Sequence, residues 1–422
     1  VNERPRTWWL GPAVALQLGG GVLVLLAGVL AGRPAVALLG VPLVLAAGYA
    51  QLSDDPYGPV PDARVELGSD PWTARVLLDA PARSTWVRMR LSRSGHVPRE
   101  VLLAPRAELE VTARSVRTGP QELLAVDLQG VGSGGAATSE VVRVPGRVVA
   151  VPPRARRVVD VPVPRRLRGH TGQHDSRRPG EGGSLRDLNP MGPGDTLRRV
   201  DWKVTARQSP DLEQLWVRRS FALAEAHVVV MVDSRDEVGP DPRTWSGITA
   251  VHPDEPTSLD LARQAADSLT RAYLAAGDRV GVEDLGALRH PMRPGSGRRH
   301  ADRVRRWLSL VRPFGAPREL VRAPRVPSGA LVVVTSTFLD SEAADLALLW
   351  RRIGHRVLAV DVLPTLRTAH LSARERLALR LVRIERTDRL AALEAADVEL
   401  VRWADASADA VLRRLTVRRR PR

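Results

Sequence analysis

The sequence predicts an α/β protein: a doubly wound, mostly parallel sheet in the C-terminal half, preceded by a small β-sandwich and an N-terminal two-helix transmembrane hairpin. Three patterns predict it. Residues 8–32 and 34–53 carry no charge and are split only by Arg33. Short alternating runs separated by Pro and Gly fill residues 60–165. From residue 226 onward, apolar strand runs take turns with helical periodicity.

At 422 residues and 44% hydrophobic content, the chain is long enough for two soluble domains and a membrane segment. Its formal charge is +16, supplied almost wholly by arginine, with Lys203 as its one lysine. Such a balance attracts nucleic acid and anionic lipid alike, so charge does not choose between them. The absence of cysteine excludes disulfides, thiolate catalysis and cysteine-ligated zinc.

Each apolar run is long enough to cross a hydrocarbon core of about 30 Å as a helix. A secretory signal has a shorter apolar core and no second run after a turn. Arg4 and Arg6 flank the first run on its outer side while the turn holds only Arg33, and Asp54 and Asp55 follow the second run. The positive-inside tendency therefore puts the N-terminus, and after two spans the soluble domains, in the cytoplasm. The divisions expected are 1–54 for the hairpin, 55–165 for an immunoglobulin-like β-sandwich, 166–225 for a motif segment and 226–422 for the α/β domain.

In the middle region, Ala74–Leu78, Trp86–Leu91, Val141–Val151 and Arg157–Val163 have strand character, punctuated by Pro152, Pro153, Pro162 and Pro164. Gly130 to Ala137 is expected as a loop. No catalytic constellation falls here, which leaves a spacer or protein-binding module.

The motif segment opens with a Gly/Arg/Pro-rich stretch, expected as a loop, from Gly169 to Gly183. Pro193-Gly194-Asp195 then forms a turn in which glycine takes positive φ and the aspartate bonds nearby amides. Asp201 is placed to cap a short helix bearing Trp202 and Arg207. Capping and ion pairing are the ordinary fate of such residues. The run Pro193, Gly194, Asp195, Arg198, Arg199, Asp201, Trp202, Lys203, Thr205, Ala206 and Arg207 resembles, at fixed spacing, the signature of the bacterial "domain of unknown function 58" proteins. The resemblance extends from about Val158 to Pro364. It implies a multi-pass protein of the bacterial cell membrane, a MoxR-type AAA+ ATPase and other envelope proteins as partners, and work in complex maturation.

Ala226–Asp233 is a continuous apolar run ending in an acid, the pattern of a central buried strand. Thr257 and Asp260 form a capping box, and Leu261, Ala262, Ala265, Ala266, Leu269, Ala272, Tyr273 and Ala276 share one helical face. Strand and helix patterns then continue through 279–282, 301–311, 330–335, 341–353, 356–362, 372–384, 398–401 and 406–415. The order resembles a von Willebrand factor A domain, whose metal-binding form uses Asp-x-Ser-x-Ser, a threonine and a later aspartate around Mg²⁺. This chain has Asp233 followed by Arg235 and Glu237 where the serines belong, and Thr337 where an aspartate is common. A guanidinium repels a cation, so a metal is disfavoured and no cofactor is expected. Arg235 is expected to pair with Asp233 or Asp236.

Three functional readings follow. The first is a membrane-anchored adaptor or assembly factor without catalytic activity. The second is a metal-dependent hydrolase using Asp195, Asp201 and Asp233. The third, from charge alone, is a nucleic-acid- or lipid-binding membrane protein, although the basic stretches lack interleaved aromatics and no nucleic acid is expected. His170 and His174 have helical zinc spacing but sit among glycines with no third ligand in view. No nucleophile elbow or P-loop occurs.

Overall fold

Pro12 and Pro34 each open an apolar helix, α1 (Pro12–Leu30) and α2 (Pro34–Leu52), joined by a tight turn at Gly32. A proline at a helix start costs nothing, because its missing N–H is one of the donors the first turn leaves unpaired. In the computed structural model, which describes residues 7–417 except 53–57, 69–72, 83, 94–96, 113–115, 123, 147, 165–166, 168–171, 248, 287–288 and 314–322, α1 is long and apolar enough to cross a membrane. The two helices pack at glycines: a Cβ on Gly28 would lie 2.2 Å from the Ala37 nitrogen, and one on Gly40 2.4 Å from the Gly21 carbonyl oxygen. Arg4, Arg6, Asp54 and Asp55, on which the expected orientation rests, lie outside the described residues.

The chain divides into two units: Val1–Val116, Gln121–Val149 and His252–Asp254 in the first, Arg117–Pro120, Ala150–Val251 and Glu255–Arg422 in the second. The first unit corrects the start of the expected membrane run. Trp8–Leu10 is a strand, β1, not the beginning of a helix, and Trp8 is fully buried with its indole N–H donating to the Pro59 carbonyl at 2.9 Å. Gly11 and Pro12 then break strand from helix. The other strands are β2 (Asp62–Leu67), β3 (Thr73–Asp79), β4 (Trp86–Ser92), β5 (Arg99–Leu103), β6 (Glu108–Thr112), β7 (Gly119–Glu122), β8 (Ala125–Val131), β9 (Ala137–Ser139), β10 (Val142–Val144) and β11 (Val148–Val151). They form an antiparallel sheet of order β1-β9-β8-β4-β5, with β10 also on β8, a three-stranded antiparallel sheet β2-β3-β6, and the pair β11-β7. Alternate residues are buried, as with Ala74, Val76 and Leu78 or Val87 and Met89. The expected loop at Gly130–Ala137 narrows to a 3-10 turn, Ser133–Gly135, between β8 and β9.

The second unit makes two further corrections. Arg157–Val163, expected as a strand, has no regular secondary structure: Val161 enters the α/β core and the Pro162 carbonyl accepts from the Tyr273 hydroxyl at 2.7 Å. Prolines without N–H groups cannot sustain a ladder there. The expected glycine-rich loop is instead largely a strand, β12 (His174–Pro190), paired antiparallel with β13 (Trp216–Ala224) through three register shifts. A Cβ on Gly180 would lie 2.4 Å from the Ala222 Cβ, so the glycine admits its partner strand.

A six-stranded sheet forms the core of this unit, in the order β16 (Met292–Gly295), β15 (Arg279–Asp284), β14 (His227–Val232), β17 (Leu331–Ser336), β18 (Arg356–Asp361), β19 (Glu399–Arg402), all parallel except the edge strand β16. Val228, Val230 and Val232 pack with α4 (Ser258–Ala275), α5 (Arg298–Leu308) and α8 (Ala408–Val417) on one face. Val229 and Met231 pack with α6 (Glu342–Arg352) and α7 (Ala373–Ala395) on the other. Burial on both faces explains the unbroken apolar run at 228–232. The expected Thr257–Asp260 capping box is formed. The antiparallel edge at β16 and the extension of α7 to Ala395 are not visible in the periodicity.

Candidate functional site

Because β14 connects to β15 on one side while β17 lies on its other side, the carboxyl ends of β14 and β17 flank the crevice where ligands of open α/β sheets bind. Asp233 and Arg235 follow β14, and Ser336 and Thr337 close β17, all of them buried. Arg235 is 2% exposed and grips Asp233 with two donors, Nε to Oδ1 at 2.9 Å and Nη2 to Oδ2 at 2.9 Å. The same guanidinium reaches Asp340 at 2.9 Å and Glu342 at 3.0 Å, while the Ser336 hydroxyl donates to Asp233 at 2.7 Å. A planar donor fork thus lies among three carboxylates. Burial alone would lower the Arg235 pKa, but Asp233 and Asp340 outweigh it and raise it.

Asp236 is not a hydrogen-bond partner of Arg235. It accepts from the Thr337 hydroxyl at 3.2 Å, and burial together with the Asp233 charge pushes its pKa up to about 7. An acid that binds its proton more tightly when folded stabilises the protein below its unfolded pKa of about 4, and that contribution is lost as pH rises through about 7. The thermal midpoint is therefore expected to fall between pH 5 and pH 8 by more in the wild type than in Asp236→Asn; parallel pH profiles would contradict the shift.

Glu237 turns away to a second buried network. Its Oε1 accepts from Arg117 and from the Thr257 hydroxyl, each at 2.6 Å. Asp260 accepts from Arg117 Nε at 2.7 Å, the Thr118 amide at 2.7 Å, the Thr118 hydroxyl at 2.6 Å and Arg263 Nη1 at 3.2 Å. Burial lowers the Arg263 pKa despite Asp260 and Glu237. Gly119, at φ +81, passes so close that a Cβ would sit 2.5 Å from the Arg263 guanidinium.

The motif residues have local roles. Gly194 takes φ +90 in the turn, and Asp195 accepts from the Gly192 amide at 3.0 Å and from Arg219 at 3.1 Å, contacts that hold its pKa below the ordinary carboxylate value. Asp201 caps α3 (Trp202–Gln208) by accepting from the Lys203 and Val204 amides at 3.1 Å, a contact worth about 1 kcal/mol, and pairs with Arg218 at 3.2 Å. Thr205 is fully buried and accepts from the Trp216 amide at 2.9 Å. Pro193, Arg198, Trp202, Lys203, Ala206 and Arg207 are exposed, whereas Arg199 is half-buried. Among the described residues no hydrogen bond joins any two of Asp195, Asp201 and Asp233. His174 contacts Asp278 at 3.0 Å; His170, four residues before it, lies outside the described residues, as do Arg418–Arg422 of the basic tail.

Residues 187–372, which contain the whole motif and both carboxylate networks apart from Arg117 and Thr118, match the model of a family described as protein of unknown function DUF58. Residues 187–372 are therefore similar to the DUF58 family. No curated protein and no solved structure matches it. The DUF58 segment runs from β12 through β18, so the Arg235 crevice and the Asp201-capped helix lie in one matched region. The sequence pattern alone names neither Asp340 nor Glu342 as an Arg235 partner, nor Arg117 as a partner of Asp260. For the first pair the signal was present, acids directly after a buried strand; for Arg117, 143 residues from Asp260, there was none.

Proposed function

We propose that this DUF58 protein is a membrane-anchored, protein-binding adaptor or assembly factor with no catalytic activity of its own, working with a MoxR-type AAA+ ATPase. Its α/β domain is read as von Willebrand factor A-like, on the support of the strand order and the crevice between β14 and β17. The observation that carries the reading is Arg235: a buried guanidinium is salt-bridged to Asp233, Asp340 and Glu342 at the crevice where an A domain would hold its cation. Partner binding on that face is then metal-independent. The separate engagement of Asp195, Asp201 and Asp233 favours this over the metal-dependent hydrolase, because acids held by caps and arginines are not free to share an ion. The apolar pair α1 and α2 supports a two-span, multi-pass anchor, and Arg4 and Arg6 against Arg33 support cytoplasmic soluble units. Exposed Trp202 with Arg207 supplies the aromatic and arginine side chains that dominate protein interfaces.

The test is titration of the full chain in nanodiscs with a purified, nucleotide-free MoxR-type ATPase, with and without EDTA. Saturable binding that is indifferent to EDTA and weakened about tenfold or more by Trp202→Ala supports the reading. No binding, or Mg²⁺-dependent binding abolished by Asp233→Ala, would overturn it.

A further inference from the structure

The N-terminal half of α7 is held to its unit by little apolar contact. Between Ala373 and Arg389, Leu379 is the one buried residue, while Leu377, Leu381 and Ile384 are 61%, 58% and 50% exposed. Spacings of four and three put these bulky aliphatics on one stripe of the helix surface. The distal half holds the helix in place: Leu390 and Leu393 enter the core, Arg386 donates to the Thr337 carbonyl at 2.7 Å, and Arg389 to the Leu339 carbonyl at 2.7 Å. The stripe is therefore presented by a well-anchored helix, and among the described residues no element of its own unit buries it.

Arginines border the stripe. Arg374, Arg380 and Arg383 are exposed, and among the described residues none of them is ion-paired. The nearest acid in sequence on the first turn, Glu375, is taken by Arg243 at 2.8 Å and by the Ser372 cap, and its pKa is lowered to about 2 by those contacts. An aliphatic stripe edged by unpaired guanidinium groups is the composition of a helix that lies in the interface of an anionic bilayer. The chain's own α1 is long and apolar enough to hold it at such a bilayer, which raises the local lipid concentration for any second contact.

We propose that α7 is a peripheral membrane contact, in which Leu377, Leu381 and Ile384 enter the interface of an anionic leaflet and Arg374, Arg380 and Arg383 meet headgroup phosphates. It rests on the membrane anchoring read from α1 but not on the ATPase partner.

Because the chain has no cysteine, a Leu381→Cys substitution carries a polarity-sensitive fluorophore at one position of the full chain. The labelled protein is reconstituted in nanodiscs of phosphatidylcholine, alone or mixed with phosphatidylglycerol, beside Glu394→Cys on the distal half as control. The expected result is a blue-shifted Leu381→Cys label, quenched by brominated acyl chains and protected from iodide, only in the anionic discs, with Glu394→Cys unchanged. High salt reverses it, and Arg380→Gln and Arg383→Gln each weaken the docked state about fivefold. Co-elution with discs reads the anchor by itself. A chain that co-elutes while the label stays open to iodide in both lipids overturns the α7 proposal and leaves the anchor standing; a chain that does not co-elute overturns both. Protection that appears in detergent and grows with protein concentration assigns the stripe to a second copy, and protection that needs an added acidic peptide assigns it to a protein; either overturns the lipid assignment.

Discussion

Arg235→Ala is expected to lower the unfolding free energy by about 3–5 kcal/mol, the usual cost of removing one partner from a buried ion pair. The substitution leaves Asp233, 4% exposed, facing Asp340 and Glu342 with no cation among them. Three carboxylates in one crevice are hard oxygen ligands, so Mg²⁺ or Ca²⁺ should return part of the loss by binding the folded state alone. Arg235→Lys should fall between, because an ammonium is a point charge and does not reproduce the two-donor grip on Asp233. Urea denaturation of the detergent-solubilised chain, with and without the divalent cation, gives the answer. A variant as stable as the wild type would mean the guanidinium is not what neutralises the site. A cation effect of equal size on both proteins would mean that metal binding does not depend on its removal.

Asp260→Ala is expected to cost a similar amount, about 3–5 kcal/mol, for the opposite reason: it strands two arginines instead of three acids. Arg263 is 2% exposed and Asp260 3%, and without Asp260 the Arg117 guanidinium loses the acid that meets its Nε while its contact with the partly buried Glu237 stays. Thr257→Ala removes the cap of α4 and loses about 1 kcal/mol. The Asp260 and Arg117 substitutions should be non-additive in a double-mutant cycle, since each removes the same contact. An Asp260→Ala loss no larger than that of Thr257→Ala would show that the network adds nothing beyond the cap.

Much of the α/β half was legible because its signals are local. The apolar run 228–232 is a central strand since both of its faces are covered, and the Thr257–Asp260 box starts its helix as the spacing requires. The Asp201 cap is of the same kind, a contact between a side chain and amides two and three residues ahead. Where the periodicity misled, a distant partner had decided the outcome. Trp8–Leu10 is apolar enough to begin a helix, but pairing with Ala137–Ser139 makes it a strand. The glycines of β12 suggest a loop until β13 comes alongside, and the prolines of 152–164 leave that segment outside any strand ladder.

The candidate site divides in the same way. By itself the sequence determined that Arg235 and Glu237 come just after one buried strand and Thr337 just after another, because residue type at fixed spacing after a strand is a local property. It also carried the likeness of residues 187–372 to the DUF58 family, since the 193–207 run is local. Tertiary structure alone decided what those residues do: that Arg235 holds Asp233, Asp340 and Glu342 together, and that Glu237 belongs instead with Arg117 and Thr257. Which acid a buried arginine takes depends on the chain segments that the sheet brings to its carboxyl edge, and residues about a hundred apart meet there only through the fold.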